Sequence, residues 1–386
     1  MMHDTEKRLQ LYLKSLASNG GSDLHIKSGT IVRIRVSGDL QKLGKEIMTT
    51  KDIDKMCSEI LLPAQYDALQ QNRSSDFTYV MGKEKARFRA NIFFQTDGMS
   101  CVFRIIPTRI MTMEELNLPK ALEYFTHLKR GLVAVTGITG SGKSTTLAAM
   151  IDRINKTQKK HIITVEDPIE FVHKDRECLI NQRGVGQDTL SFADALRGAL
   201  REDPDIILVG EMRDLETIEM GLHAADTGHL VFSTLHTKNA QETIERIIGV
   251  FDKEEQDRIR GALANTLEGV VAQRLVKTKD GGRAACIEIL IRTARVAQLI
   301  AESRDEEITE TLADGKETYG TQTFDQAILD IYYDGRITLE EALGNATNPS
   351  DMKLMMSLSG RVDPNDIKVE ADAEEEEEDM GYEFKD

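Results

Sequence analysis

The apolar positions change period along the chain, and the changes divide it. Over residues 5–18, Leu9, Tyr12, Leu13 and Leu16 fall at i, i+3, i+4 and i+7, the spacing of one helix face. Asn19-Gly20-Gly21-Ser22 ends that helix. Short runs at 23–26 and 31–36, with a turn at Gly38, read as strands. Residues 51–71 read as a second helix, and 86–94 and 100–106 as two more strands closed by Pro107. Together these predict an N-terminal α+β domain over 1–112, with 108–118 as a linker ahead of Pro119. From Gly131 to about Ile291, apolar runs alternate with helical stretches, as a parallel sheet with helical crossovers requires. The bounds of this α/β domain are set at 113–292. Residues 293–360 read as helices with a charged surface stretch at 305–316, and 361–386 show no periodic apolar face, so an acidic disordered tail is expected there.

The stretch 137–144, Gly-Ile-Thr-Gly-Ser-Gly-Lys-Ser, fits G-x-x-x-x-G-K-[ST]. Gly137, Gly140 and Gly142 let the backbone turn so that successive N–H groups face a phosphate, with Thr139, Ser141 and Thr145 in the same cradle. Lys143 is expected to reach the β- and γ-phosphates, and the Ser144 hydroxyl to hold Mg²⁺. An apolar run at 132–136 precedes the loop and a helical stretch at 145–154 follows it, the strand–loop–helix order of a phosphate site. The expected ligands are ATP and Mg²⁺.

Further strands end in polar residues. The run 162–165 leads into Glu166-Asp167-Pro168-Ile169-Glu170. A carboxylate at the carboxyl end of such a strand is placed to polarise a water for attack on the γ-phosphate. An acidic turn before proline is the alternative. After a Gly-rich loop at 181–188 and a helix at 192–201, Asp205-Ile-Ile-Leu-Val209 runs into Gly210-Glu211. Gly210 stands where a Mg²⁺-binding Asp is usual, so Glu211 is left to meet the metal through water, to orient the attacking water, or both. The run 230–235 ends at Thr234, His236 and Thr237. His223, His229 and His236 lie six and seven apart with no cysteine nearby, a spacing that does not suggest a metal set. His229 and His236, with Thr234 alongside, sense the γ-phosphate, bridge to the neighbouring domain, or serve the structure alone. Arg87 and Arg89 share one strand face and Arg104 lies on a neighbouring strand. They form either a solvated, ion-paired face or a positive set reaching the γ-phosphate from a second domain or subunit.

Composition narrows the class. No apolar run among the 386 residues approaches the roughly 18 that a membrane span needs, so no membrane insertion is expected. The first residues lack the apolar core of a secretion signal. Cys57, Cys101, Cys178 and Cys286 are far apart in sequence, so neither a disulfide framework nor structural zinc is expected, and a reducing cytoplasm is the simplest compartment. Formal net charge is −16. Ten acids against Lys385 put −9 of it in 370–386 and leave −7 elsewhere, which speaks against nucleic-acid binding. The acidic end is a solvating tail or an electrostatic contact for a basic partner.

Taken together, the phosphate loop, Glu166–Glu170, the Gly210-Glu211 strand end and Gly228–Thr237 resemble, in order, the Walker A, Asp, Walker B and His boxes of the secretion ATPases of type II secretion and type IV pili. Ser22–His25, Arg87–Arg89, Phe103–Pro107, Val271–Leu275 and Thr321–Gln326 extend the likeness over residues 5 to about 357. The pilus retraction ATPases of the PilT and PilU type are the most similar branch; the chain lacks the four-cysteine insert usual in assembly and secretion members. The resemblance implies an α/β fold: a RecA-like P-loop core, a PAS-like α+β N-terminal domain and C-terminal helices. It implies a homo-hexameric ATPase whose arginines at Arg87, Arg89 and Arg104 contact phosphates, with Glu166 as general base and Glu211 as the Walker B acid. It also implies an inner-membrane platform protein as partner, on the cytoplasmic side and peripheral to the membrane. One departure stands out. Where retraction ATPases read A-I-R-N-L-I-R-E, this chain reads Arg295-Val-Ala297-Gln-Leu-Ile-Ala301-Glu302, with alanine at both motif arginines. That pattern points to an accessory motor working with a partner retraction ATPase. The other classes weighed are a pilus assembly or type II secretion ATPase, a ring translocase on nucleic acid, and a non-hydrolysing subunit of a mixed ring.

Overall fold

Leu9, Leu13 and Leu16, three residues of the first helical face, are buried to 1% exposure or less, and they meet a sheet whose inner face carries Leu24, Phe88 and Phe103. The computed structural model describes residues 4–36, 38–82, 86–106, 109–359 and 361. The expected tail lies outside them except for Arg361. The described chain resolves into two compact units. One takes in the residues to Arg109 with Asp167–Val172 and Arg183–Leu190; the other takes in Ile110–Glu166, His173–Gln182 and the residues from Ser191 on.

In the first unit, α1 (Asp4–Ser18), α2 (Thr50–Ile60) and α3 (Pro63–Asn72) accompany β1 (Asp23–Lys27), β2 (Thr30–Val36), β3 (Asp39–Met48), β4 (Ser74–Met81), β5 (Ala86–Gln95) and β6 (Gly98–Ile105). The strands form one sheet in the order β3-β2-β1-β6-β5-β4, with antiparallel neighbours. The single helix expected over 51–71 is two. Pro63 has no N–H to give and pushes Leu62 out of the helical region, so Leu61 and Leu62 are extended and Pro63 opens α3 at its first position. β3 and β4 were not foreseen from the pattern. β3 is exposed along most of its length and so shows no alternation, whereas β4 does alternate, with Ser75, Phe77, Tyr79 and Met81 turned inward.

The second unit opens with α4 (Leu122–Thr126) and builds its sheet from β7 (Gly131–Thr136), β8 (His161–Glu166), β9 (Leu179–Gly184), β10 (Ile206–Val209), β11 (Leu230–Leu235), β12 (Leu267–Lys277) and β13 (Arg283–Ile291). The crossovers are α5 (Lys143–Thr157), α6 (Phe192–Ala199), α7 (Leu215–Asp226), α8 (Ala240–Gly249) and α9 (Lys253–Thr266). The order is β13-β12-β7-β11-β10-β8-β9, with β12, β7, β11, β10 and β8 parallel and β13 antiparallel. The loop expected at 181–188 is in part strand, because β9 runs to Gly184. β7, β10 and β11 are buried on both faces, which accounts for their unbroken apolar runs. After β13 come α10 (Ala294–Ala301), a 3₁₀ turn at Asp305–Glu307, α11 (Ile308–Asp314), α12 (Lys316–Tyr319), α13 (Phe324–Tyr333), α14 (Leu339–Asn345) and α15 (Pro349–Leu358). Phe324, Ile328 and Met352 pack on Ala272, Val276 and Cys286 of β12 and β13.

Candidate nucleotide site

β7 ends at Thr136, the chain turns through 137–142, and α5 begins at Lys143. The turn needs glycine. Gly140 and Gly142 have φ of 81° and 89°, in the left-handed region, and a Cβ on Gly137 would lie 2.4 Å from the Gln273 carbonyl oxygen. Lys143 is 8% exposed and its Nζ donates to the carbonyls of Gly137 at 2.7 Å and Ile138 at 3.1 Å, so the ammonium lies over the loop. Thr139 and Gly140 are exposed, while Ser144 and Thr145 are half-buried in the first turn of α5. Two buried hydroxyl oxygens here, Ser141 Oγ and Thr136 Oγ1, have no hydrogen-bond partner. A glycine cradle, a lysine and unspent hydroxyls at the positive end of a 15-residue helix form a donor set that fits a phosphate chain.

The neighbouring strands bring their ends to this loop. β11 lies beside β7 with Leu235 opposite Thr136, so His236 follows level with Gly137. β10 lies beside β11, and Glu211 comes two residues after its end. His236 Nε2 is 3.3 Å from Glu211 Oε1, and Arg213 also pairs with that oxygen. The Glu211 side chain is only 16% exposed, and Arg213 and His236 supply its partners. Glu166 is the last residue of β8, on the other side of β10. Its Oε1 accepts from Thr164 Oγ1 at 2.6 Å and from Gln182 Nε2 at 3.1 Å. The glycine at position 210 has a physical reason. Its N–H donates to Val165 O at 2.7 Å, and a Cβ there would sit 3.1 Å from both the Glu166 Cα and that same oxygen. The Ser144 hydroxyl and the Glu211 carboxylate carry oxygen donors of the kind that would suit Mg²⁺, a hard cation.

His229 goes elsewhere. It precedes β11, at the end away from the loop, and its Nδ1 hydrogen-bonds to Ala224 O at 3.0 Å. Seven extended residues separate it from His236, about 20 Å. Within the chain, therefore, His236 and not His229 joins Glu211. His223 lies on α7, exposed.

Arg87, Arg89 and Arg104 belong to the first unit. Arg89 stands opposite Arg104 across β5 and β6, and Arg104 stands opposite Asp23 of β1, which in turn faces Arg35 of β2. Arg104 Nε donates to Asp23 Oδ1 at 2.7 Å. Burial pushes the Asp23 carboxyl up, but the Ser22 hydroxyl and Arg104 outweigh it and hold it below the ordinary carboxylate range. Arg35, Arg104 and Arg89 against the single carboxylate of Asp23 give this cross-strand row a net positive charge.

Gln273, on β12, was not singled out as a site residue from the sequence. It is 3% exposed, accepts from Thr146 Oγ1 at 2.7 Å and donates to Ser141 O at 2.8 Å, so it ties α5 and the phosphate loop to the sheet. Thr164 and Gln182, which hold Glu166, were missed in the same way. Cys57 and Cys101, far apart in sequence, meet in the core of the first unit, where the Cys57 thiol and burial raise Cys101 well above an ordinary thiol. No helix of the described residues is long and apolar enough to cross a membrane.

Residues 3–341 match the family described as "Type II/IV secretion system protein". Over 335 residues the chain is 45% identical to the type IV pilus retraction ATPase PilT of Pseudomonas aeruginosa, covering 87% of this chain and 97% of that one. Over 356 residues it is 38% identical to the type IV pilus ATPase PilU of the same organism, covering 92% and 93%. Among solved structures, the pilus retraction motor PilT with bound ADP aligns with a TM-score of 0.82 at 40% identity, over 89% of this chain and 98% of that one. The ATPase DotB of Legionella pneumophila aligns with a TM-score of 0.78 at 29% identity, over 88% and 94%.

Proposed function

The chain belongs to the type II/IV secretion system protein family, and from that premise we propose that it is an ATP-hydrolysing motor that drives retraction of a type IV pilus. The observation that carries the reading is the convergence of the phosphate loop, Glu166, Glu211 and His236 at the carboxyl ends of β7, β8, β10 and β11. The loop amides and Lys143 hold the β- and γ-phosphates of ATP. Ser144, and Glu211 through water, would hold Mg²⁺, which when bound would supply positive charge against the phosphates. Glu166, kept in place by Thr164 and Gln182, takes the proton of the attacking water as general base. Glu211 orients that water, and His236 and Arg213 set its carboxylate. Subunits assemble as a homo-hexameric ring, in which Arg87, Arg89 and Arg104 supply positive charge to the phosphates. The ring sits on the cytoplasmic side of the inner membrane and passes its motion to a platform protein there.

One observation favours a narrower role. Ala297 and Ala301 occupy adjacent turns of α10, the first half-buried and the second exposed, where the retraction motif carries arginines. This supports an accessory motor that works beside a partner retraction ATPase.

The test is Glu211→Ala in the purified protein. ATP binding is expected to persist while turnover falls about 10²-fold, the scale of a lost general-base or water-positioning group. Turnover near wild type would make Glu211 structural and overturn the assignment. Stimulation by DNA with a steep salt dependence would favour the translocase class instead.

A further inference from the structure

Glu288 is a buried acid that the reading above leaves without a task. It lies on β13, 5% exposed, directly opposite Ala272 of β12, and Ala272 in turn faces Thr136 at the mouth of the phosphate loop. Side chains alternate along a strand, so Cys286, Glu288 and Leu290 point to one face. Leu290 packs with Ile244 of α8, whereas Cys286 packs with Phe324 and Ile328 of α13. Glu288 therefore stands at the seam between the core beneath α8 and the core beneath the C-terminal helices.

Its bonds fit that place. Oε1 accepts the N–H of Ala240 at 2.8 Å. Ala240 is the first residue of α8, and its amide is one of the four that a helix cannot satisfy internally. Asn239 caps the same helix through Glu242 N, so the side chains of Glu288 and Asn239 take two of the open amides, those of Ala240 and Glu242. The backbone amide of Phe324, first residue of α13, also stabilises the Glu288 carboxylate. β13 is clamped to that same segment by Ile289 and Gln322, whose backbones exchange hydrogen bonds of 2.9 and 3.1 Å. The connection from His236 to Ala240 is four residues long and is drawn tight by Thr237 Oγ1 against Thr243 Oγ1 at 2.7 Å.

We propose that Glu288 is a positioning residue for ATP turnover: by holding the first amide of α8 it fixes the four-residue connection behind His236, and so the place of His236 against Glu211. Because the same carboxylate faces the start of α13, it links the strand ends of the nucleotide site to the C-terminal helices. The proposal rests on the assignment of Glu211 and His236 to the site.

The decisive variant is Ala240→Pro in the full chain. Proline removes the N–H that Glu288 accepts and puts its ring Cδ where that hydrogen was, so the Glu288 carboxylate, 2.8 Å from the Ala240 nitrogen, is displaced as well as unpaired. The proline φ suits the first helical position, and Asn239 before it is already extended at φ −151°, ψ 178°. Steady-state ATPase rates are measured for Ala240→Pro, Glu288→Met and Glu288→Gln, with Glu211→Ala alongside. Ala240→Pro and Glu288→Met are expected to lower kcat about tenfold with KM within about twofold, the pattern of a misplaced catalytic group beside an intact binding loop. Glu288→Gln keeps an acceptor for Ala240 and restores most of kcat. In a His236→Ala background the Ala240→Pro loss is expected to shrink to less than about twofold, because both act through one group. Wild-type kcat in Ala240→Pro, or a full additional loss in the His236→Ala background, overturns the proposal even if melting temperatures fall. Ala240→Pro decides the matter by itself if Glu288→Met does not fold. Wild-type turnover in Glu211→Ala is a separate result that removes the premise.

Discussion

Gln273→Met tests whether the phosphate loop is held by the sheet or holds itself. Methionine is close to glutamine in volume, so the change is chiefly the loss of polar atoms at a site 3% exposed. Thr146 Oγ1 then loses its 2.7 Å acceptor and Ser141 O its 2.8 Å donor. Leaving a buried polar group unpaired costs about 1–3 kcal/mol. The Thr146 hydroxyl has a fallback in the carbonyl four residues back, Gly142, so the sum is nearer about 3 kcal/mol than 6. If the whole of it appears as a loosened loop, nucleotide affinity falls about hundredfold, at 1.4 kcal/mol for each factor of ten. A fluorescent ADP analogue titrated against the variant, with thermal unfolding in parallel, reads both parts. The expected result is a Kd raised tenfold to hundredfold and a Tm lowered by about 6–12 °C, from about 3 kcal/mol at 2–4 °C per kcal/mol for a unit of this size. A Kd within about twofold of wild type would refute the reasoning: the loop would then owe its shape to its own glycines.

Other outcomes follow from the same geometry. Gly210→Asp, which writes in the acid usual at that position, is expected to lower both stability and turnover. Its Cβ would press on Glu166 and Val165 at 3.1 Å, an overpacking cost of about 1–3 kcal/mol. Faster hydrolysis in that variant would contradict it. Arg104→Ala is expected to slow hydrolysis in the assembled ring while the monomer stays folded, and a normal rate at saturating ATP would return the arginine to its ion pair with Asp23. Burial pushes Glu288 up to about 7, against weaker opposing effects of the Ala240 amide and Arg274. A carboxyl raised in the folded state contributes stability below its unfolded pKa and loses it as pH rises through the folded value. Wild type should therefore lose about 3 kcal/mol relative to Glu288→Gln between pH 4.5 and 7. Denaturant titrations at pH 5 and 8 check this, and a constant difference between the two proteins would refute it.

The parts of the site legible in the sequence are those with fixed local spacing. Gly137 to Ser144 announces itself because the turn, the lysine and the helix start are consecutive, and the buried strands before Glu166 and Glu211 are short enough to fix where each acid emerges. What the pattern could not supply is pairing across strands. Gln273 lies 132 residues from Ser141, and only the parallel pairing of β12 with β7 brings them together. Glu288 is hidden for the same reason. His229 and His236 look equivalent in a row of letters, yet a strand carries its two ends apart, so within the chain His236 meets Glu211 while His229 bonds to Ala224 O. The division at Pro63 was legible and the rule for it is simple, whereas β3 has no alternation to find because it is exposed along nearly its whole length.

The most direct measurement is the retraction of single pili in cells where this chain is the only retraction-type ATPase able to hydrolyse ATP, any companion being present but catalytically disabled. Retraction is expected with the wild-type chain and none with Glu211→Ala. Retraction that survives Glu211→Ala, or that is absent with a wild-type chain that turns over ATP when purified, would contradict the assignment of this site as the motor's engine.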